Sequence, residues 1–128
     1  MDEAKTQIKK KILLVEDDNA LADIYFKRLD SEGFEVKRVN NGESALAAAV
    51  EFHPDLIVLD IMMPEINGFE VLDILKNTPA TAQIKVMMLT ALGQESDQQK
   101  AKTLGADAYL VKSQIITGEV VSRIKSMA

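Results

Sequence analysis

The chain has 128 residues, of which 47% are hydrophobic and 27% are charged, and this size and composition fit a single domain with one core. Its net charge of −5 at pH 7 argues against a duplex nucleic acid partner, which requires a clustered positive face, and the absence of cysteine excludes disulfides and Cys-ligated zinc. No apolar run approaches the roughly 18 residues of a membrane span and no apolar signal segment opens the chain, so we expect a cytoplasmic protein.

Short apolar runs alternate with amphipathic stretches along most of the chain. Residues 1–10 are polar and aperiodic, which predicts a flexible N-terminal lead-in before one domain over residues 11–128. Continuous apolar runs predict buried strands, and the mixed run at 34–39 predicts an edge strand. The buried strands are expected at residues 12–15, 56–59, 84–89 and 108–111.

Helical spacing of the apolar residues predicts a helix after each strand. The first is expected at residues 19–32, the second ends near Phe52, and the third covers 68–77. Ser96 is expected to cap a mostly polar fourth helix that ends before Gly105, and Thr117 to cap the fifth. Because the fourth helix has few apolar residues, we expect it to be weakly anchored and mobile.

Five strands that alternate with five helices predict an α/β fold in which a parallel sheet carries helices on both faces. Right-handed crossovers leave few topologies, and the strand order 2-1-3-4-5 of flavodoxin-like sheets is common among them. That order places the mixed second strand at an edge of the sheet. We therefore predict a single doubly wound five-stranded parallel sheet.

Acidic residues follow two of the strands at the edge where such sheets bind ligands. Ligands bind outside the carboxyl ends of the strands where the strand order reverses, here between the first and third strands. Glu16, Asp17 and Asp18 follow the first strand, and Asp60 ends the third. Carboxylates crowded at one site repel one another unless a cation neutralises them. We expect Mg²⁺, because it binds through one or two carboxylates together with waters and phosphate oxygens.

The fourth and fifth strands add two complementary groups, Thr90 and Lys112. A hydroxyl and an ammonium that face a metal–carboxylate cluster form a site for a phosphoryl group. On this hypothesis Lys112 and the metal offset developing charge, and Thr90 donates a hydrogen bond. Asp60 then attacks as a carboxylate nucleophile and becomes an acyl phosphate.

Each of these residues also has a purely structural explanation. Asp17 and Asp18 can stabilise a helix N-terminus, and Asp60 can cap a helix or a turn. Lys112 can be a solvated lysine, and Thr90 an ordinary strand residue. All of them fall at the carboxyl ends of strands, however, and this shared position favours the phosphoryl site.

Several segments of the chain occur in a fixed order and spacing. They are ILLVEDD at 12–18, PDLIVLDIMMP at 54–64 followed by Gly68, LTA at 89–91 and GADAYLVK at 105–112. Together they resemble the response-regulator receiver domains, and the resemblance covers residues 10–127. It implies a phosphoacceptor domain of a two-component phosphorelay, which catalyses phosphotransfer to its own aspartate and its own dephosphorylation but is not a turnover enzyme.

The resemblance also implies a set of metal ligands. Glu16 and Asp17 are the acidic pair that holds Mg²⁺, and Asp17 is the preferred direct ligand of the two. Asp60 is both a metal ligand and the phosphoacceptor. The backbone carbonyl of Met62 is a further ligand.

Three further residues receive roles by resemblance. Thr90 is the switch hydroxyl that moves toward the phosphoryl group, and Tyr109 is the aromatic residue whose rotamer follows Thr90. Lys112 pairs with the phosphoryl oxygens. Receivers commonly carry a proline after this lysine, in a cis peptide, whereas here Ser113 follows, so the loop around Lys112 departs from the family's pattern.

Partners are also implied by the resemblance. The phosphoryl donor is the phosphohistidine of a sensor histidine kinase or of a phosphotransfer protein. The output surface consists of the fourth helix, the fifth strand and the fifth helix, and it contacts a downstream protein. We expect no direct nucleic acid partner, no membrane contact, and a monomer or a weak phosphorylation-dependent dimer.

Two other classes of protein compete with this interpretation. A flavin-binding protein would carry a Ser/Thr/Gly-rich phosphate loop after the first strand, and a haloacid dehalogenase-type phosphatase would carry Asp-x-Asp there; neither pattern is present. The second class is a pseudo-receiver, which is a protein-interaction module that no longer takes phosphate. The complete set of site residues argues against a pseudo-receiver, and Ser113 argues for one.

Overall fold

The structure is a computed structural model that describes residues 9–128, within which five strands alternate with five α-helices. The strands are β1 (Lys11–Val15), β2 (Glu35–Val39), β3 (Leu56–Leu59), β4 (Lys85–Thr90) and β5 (Ala108–Val111). The helices are α1 (Asn19–Ser31), α2 (Gly42–Phe52), α3 (Gly68–Lys76), α4 (Glu95–Thr103) and α5 (Thr117–Met127). A 3₁₀ turn, Lys112–Gln114, follows β5 directly.

The strands form one parallel sheet in the order β2-β1-β3-β4-β5, which confirms the predicted fold. Alternate side chains of the central strands point to opposite faces, so each face carries its own apolar cluster. Leu13 and Val15 of β1 pack on one face with α2 and α3, and Ile12 and Leu14 pack on the other with α1 and α5. β2 is only partly buried, as its mixed sequence predicted for an edge strand.

Two of the predicted helix caps are wrong. The backbone of Gln94 is the N-cap of α4, which begins at Glu95, so Ser96 lies inside the helix rather than before it. Thr117 is likewise the first residue of α5, and Ile116 is its N-cap. The carbonyls of Gln94 and Ile116 accept the first backbone hydrogen bonds of these helices, but neither side chain makes a cap. Because any residue supplies such a carbonyl, the sequence carries no local signal for either helix start.

The fourth helix has the weak apolar anchoring that its composition predicted. Ala101 is its only buried residue. The ammonium of Lys100 lies 4.5 Å from the centroid of the Phe69 ring, and this cation–π contact joins α4 to α3. Whether α4 is mobile stays a prediction.

The predicted lead-in over residues 1–10 lies mostly outside the described residues. Lys9 and Lys10 are exposed, and the Lys10 carbonyl accepts a hydrogen bond from the backbone N–H of Glu35. Among the helices of residues 9–128, none has both the length and the apolar character needed to cross a membrane.

At the amino edge of the sheet, two acids to which the sequence assigned no chemistry have structural roles. The Asp55 carboxylate accepts a hydrogen bond from the backbone N–H of Lys11 at 2.8 Å. Asp107 accepts one from Val86 N–H at 2.9 Å and pairs with Lys76 at 3.3 Å. Both acids therefore help to align neighbouring strands at the edge opposite the candidate site.

Candidate functional site

Strand register brings the predicted site residues to the carboxyl edge of the sheet. Val15 pairs with Leu59, so Glu16 and Asp60, the residues that follow them, lie side by side. Thr90 is the last residue of β4 and Lys112 follows β5 directly. The expected crevice between the first and third strands therefore exists, with groups from four strand ends around it.

Glu16, Asp17 and Asp60 form the acidic cluster of this crevice. Each offers a carboxylate oxygen, and the three oxygens lie within 4.8 Å of one another. Glu16 is 2% exposed and Asp60 is 4% exposed, whereas Asp17 is exposed to solvent. Burial raises the pKa of the Glu16 carboxyl, an effect that the adjacent Lys112 opposes and the negative charge of Asp60 reinforces. This all-oxygen donor set suits a hard divalent cation.

Lys112 bridges the two buried carboxylates. Its ammonium nitrogen lies 2.7 Å from Glu16 Oε1 and 2.9 Å from Asp60 Oδ2. Burial lowers the pKa of Lys112, but the hydrogen bonds and charges of Glu16 and Asp60 outweigh burial and leave the pKa raised. The lysine is therefore held in its charged form inside the crevice.

The departure at Ser113 does not displace this lysine. No peptide bond within residues 9–128 is cis, so the bond between Lys112 and Ser113 is trans. The 3₁₀ turn that begins at Lys112 leads the chain away from the site toward Ile116 and α5. The side chain of Lys112 still reaches Asp60 across the sheet edge.

Thr90 and Tyr109 are linked through the backbone of one residue between β4 and α4. Leu92 N–H donates a hydrogen bond to Thr90 Oγ1 at 3.3 Å, and Tyr109 Oη–H donates one to the Leu92 carbonyl at 2.7 Å. Thr90 is fully buried, and Tyr109 is partly buried. Burial, together with the negative charges of Asp97 and Asp60, raises the pKa of Tyr109 to about 12. The tyrosine thus stays a hydrogen-bond donor at neutral pH.

Met62 lies in the loop between β3 and α3, next to the candidate phosphoacceptor. Its backbone N–H donates a hydrogen bond to Asp60 Oδ1 at 3.3 Å, and its side chain is exposed. The loop closes through a hydrogen bond of 2.9 Å from Gly68 N–H to the Ile61 carbonyl. A side chain at Gly68 would overlap the Asp60 carbonyl oxygen, so only glycine permits this close approach of α3 to β3.

Two residues that matter for the site carried no assignment from the sequence. Leu92 links Thr90 to Tyr109 only through backbone atoms, so its side chain gave no signal. Gly42 begins α2, and a Cβ there would lie 2.9 Å from the carbonyl oxygen of Ile66 in the β3–α3 loop. No pattern in the sequence indicated that contact.

The structure is a doubly wound parallel sheet whose carboxyl edge holds three clustered carboxylates, a lysine and a buried hydroxyl. This combination of fold and site is typical of small α/β signalling domains. The family model described as "Response regulator receiver domain" matches residues 12–125. The chain belongs to this family and is a receiver domain of two-component signalling.

Solved structures of the same fold agree. A CheY-like receiver domain protein of Methanospirillum hungatei is 28% identical, with a TM-score of 0.85 and coverage of 93% of each chain. A chemotaxis protein of Vibrio cholerae is 26% identical, with a TM-score of 0.87 and coverage of 94% of this chain and 100% of that one.

The similar curated proteins are transcriptional regulators. The DNA-binding dual master transcriptional regulator RpaA of Synechocystis is 38% identical over 91% of this chain and 48% of its own length. The transcriptional regulatory protein CpxR of Klebsiella pneumoniae is 44% identical over 91% of this chain and 48% of its own length. The chain thus spans about half the length of these relatives.

These names overturn the expectation about partners. We expected no nucleic acid partner, whereas related proteins are transcriptional regulators and one is named as DNA-binding. The net charge of −5 is that of this chain alone, which spans about half the length of these relatives, and it does not report on a contact made by another part of a longer regulator. The expectation was wrong because it extended a property of the receiver to the whole signalling output.

Proposed function

We propose that this receiver domain takes a phosphoryl group onto Asp60 in a Mg²⁺-dependent reaction. The observation that carries the proposal is the contact of Lys112 with Asp60 at 2.9 Å, beside a cluster of three carboxylates. An ammonium that contacts a buried carboxylate next to an all-oxygen cation site is placed to stabilise negative charge added to that carboxylate. A phosphoryl group supplies that charge.

Glu16, Asp17, Asp60 and the backbone carbonyl of Met62 would hold the metal. Carboxylate and carbonyl oxygens are the donors that Mg²⁺ takes, and it keeps several waters or phosphate oxygens as further ligands. When bound, Mg²⁺ neutralises charge on the phosphoryl oxygens during transfer. The exposure of Asp17 beside two buried acids leaves the solvent side of the cluster open to a phosphoryl donor.

The transfer itself follows from the positions of Asp60 and Lys112. One oxygen of the Asp60 carboxylate attacks phosphorus, and the bond from phosphorus to the imidazole nitrogen of the donor phosphohistidine breaks. The imidazole leaves and later takes up a proton from solvent. Lys112 pairs with the phosphoryl oxygens, and the Thr90 hydroxyl donates to one of them. Water reverses the modification by attack on phosphorus, which releases phosphate and the carboxylate.

The switch then runs through Thr90, Leu92 and Tyr109. A phosphoryl group that recruits the Thr90 hydroxyl would disturb its bond from Leu92 N–H, and with it the contact of Leu92 with Tyr109. That change would favour one arrangement of the α4-β5-α5 face over another, which is a population shift. The weak apolar anchoring of α4 supports this element as the responsive part.

The relatives suggest what this face controls. Because several similar proteins are transcriptional regulators of about twice the matched length, we infer that the receiver regulates a DNA-binding output.

A pseudo-receiver, which would act without phosphate, remains the rival function. Intact mass distinguishes the two after incubation with acetyl phosphate, with and without Mg²⁺, for the wild type and for Asp60→Asn. A Mg²⁺-dependent gain of one phosphoryl group that the variant lacks supports the proposal. No gain, combined with no detectable Mg²⁺ binding, would establish the pseudo-receiver. Circular dichroism of Asp60→Asn controls for folding.

A further inference from the structure

Met62 differs from the other methionines in its access to solvent. Its side chain is 54% exposed, whereas Met63, Met87 and Met88 are buried in the core. Met127, near the end of α5, is partly buried. Thioethers are oxidised by hydroperoxides according to their exposure, so Met62 is the most accessible target among the methionines of residues 9–128.

The position of Met62 connects it to the phosphoryl site. It lies two residues after Asp60, and its backbone N–H donates a hydrogen bond to the Asp60 carboxylate. Its side chain lines an open cleft of about 500 Å³ together with Asp17 and Leu92. The cleft therefore joins Met62 to a residue of the acidic cluster and to the residue that links Thr90 with Tyr109.

We propose that Met62 is a site of reversible oxidation by hydrogen peroxide, through which an oxidant changes the lifetime of the phosphorylated receiver. The sulfur lone pair attacks one peroxide oxygen, so that a sulfur–oxygen bond forms and the oxygen–oxygen bond breaks. The departing hydroxide takes the proton of the transferred hydroxyl and leaves as water. The sulfur is oxidised to a sulfoxide by two electrons, and the peroxide is reduced by two.

The sulfoxide changes the character of the cleft that Met62 shares with Asp17, a residue of the acidic cluster that includes Asp60. The thioether is apolar and holds water poorly, whereas the sulfoxide oxygen is a strong hydrogen-bond acceptor. Water held at this oxygen stands beside the phosphoryl group and raises the rate of attack on phosphorus. Oxidation of Met62 therefore shortens the lifetime of the acyl phosphate on Asp60. This consequence rests on the proposed function, whereas the selective oxidation of Met62 does not.

The selectivity is tested first by peptide mapping of the protein after a timed exposure to hydrogen peroxide. We expect the peptide with Met62 to gain one oxygen at least about tenfold faster than those with Met87 and Met88. Met127→Leu should leave the rate at Met62 unchanged. Oxidation of Met62 no faster than that of Met87 and Met88 would overturn the proposal, and this readout does not depend on phosphorylation.

The coupling is tested by the half-life of the acyl phosphate before and after complete oxidation of Met62. The ratio of the two half-lives is compared within each protein, for the wild type, Met62→Leu and Met127→Leu. We expect oxidation to shorten the half-life at least about twofold in the wild type and in Met127→Leu, and not in Met62→Leu. A methionine sulfoxide reductase should restore the original half-life.

Two outcomes oppose the coupling in different ways. An unchanged half-life in wild-type protein with fully oxidised Met62 would overturn the coupling while the proposed function stands. A protein that takes no phosphate at all would overturn the proposed function, and the coupling with it, whereas the peptide map would still decide whether Met62 is the oxidised site.

Discussion

The ammonium of Lys112 lies closer to Glu16 than to Asp60, at 2.7 Å against 2.9 Å. The lysine thus has a partner of its own in the crevice, besides the candidate phosphoacceptor. Glu16 is almost completely buried, and a buried carboxylate without a nearby cation is strongly destabilising. Lys112 therefore stabilises the acidic crevice itself, and this role is separate from any contact with a phosphoryl group.

We expect Lys112→Met to lower the free energy of unfolding by about 3 kcal/mol in metal-free buffer, since it leaves two buried carboxylates without a cation. Urea denaturation measures this change. The control is Arg38→Met, which breaks the more exposed pair of Arg38 with Asp23 and should cost less than about 1 kcal/mol. Equal effects of the two substitutions would show that Lys112 does not support the crevice.

The acidic cluster predicts a metal affinity that depends on Asp17. Asp17→Asn removes one of the three clustered carboxylates at a position that is itself exposed to solvent. We expect Mg²⁺ to bind about tenfold more weakly, which corresponds to about 1.4 kcal/mol. Isothermal titration measures the affinity, and Asp30→Asn, on the exposed surface of α1, is the control. An affinity equal to that of the wild type would remove Asp17 from the ligand set.

The link through Leu92 predicts that Thr90→Ala separates phosphorylation from the switch. The variant should still gain a phosphoryl group on intact mass, because Asp60 and Lys112 are untouched. The chemical shift changes that phosphorylation produces in β5, around Tyr109, should shrink, because the hydroxyl that joins Leu92 to the site is gone. Shift changes as large as those of the wild type would exclude Thr90 from the switch.

The partly buried phenol of Tyr109 is expected to ionise with a pKa above the ordinary tyrosine value. The chain has two tyrosines, so Tyr25→Phe leaves Tyr109 as the single phenol for ultraviolet titration. We expect ionisation with a pKa of about 12, whereas a tyrosine in an unfolded chain ionises near 10. The raised value means that the protonated phenol stabilises the fold. That contribution is complete below about pH 10 and is lost as the pH rises through about 12. Ionisation near pH 10 in the folded protein would contradict it.

The close approach of Gly68 to the Asp60 backbone predicts that even a methyl side chain at this position destabilises the fold. Gly68→Ala would push α3 away from the Asp60 backbone, and we expect it to lower the free energy of unfolding by about 2 kcal/mol. Gly118→Ala is the matched control, because it lies in α5 with its nearest contact at 3.7 Å and should raise stability by about 0.5 kcal/mol. Thermal denaturation compares the two, and the same sign for both would refute the packing argument.

Much of the fold could be predicted from local patterns. The continuous apolar runs of β1 and β3 predicted buried strands, and the mixed run of β2 predicted an edge strand. A strand that is covered on both faces has apolar residues at every position, whereas an edge strand also carries polar residues. The starts of α4 and α5 could not be predicted, because Gln94 and Ile116 act through backbone carbonyls that any residue supplies. Side-chain preferences mark a helix boundary only where a side chain makes the cap.

From the sequence by itself it was possible to predict the strand order and the edge of the sheet at which Glu16, Asp60, Thr90 and Lys112 gather. Alternation of strands and helices restricts a chain to few topologies, and the mixed run of β2 favours the one that places it at an edge. Only the tertiary structure decided which of these groups touch. Lys112 and Asp60 are 52 positions apart, and their contact depends on strand register and on side-chain rotamers. The Thr90–Leu92–Tyr109 link and the fit of Gly42 against Ile66 depend on backbone atoms, which every residue has and which no sequence pattern distinguishes.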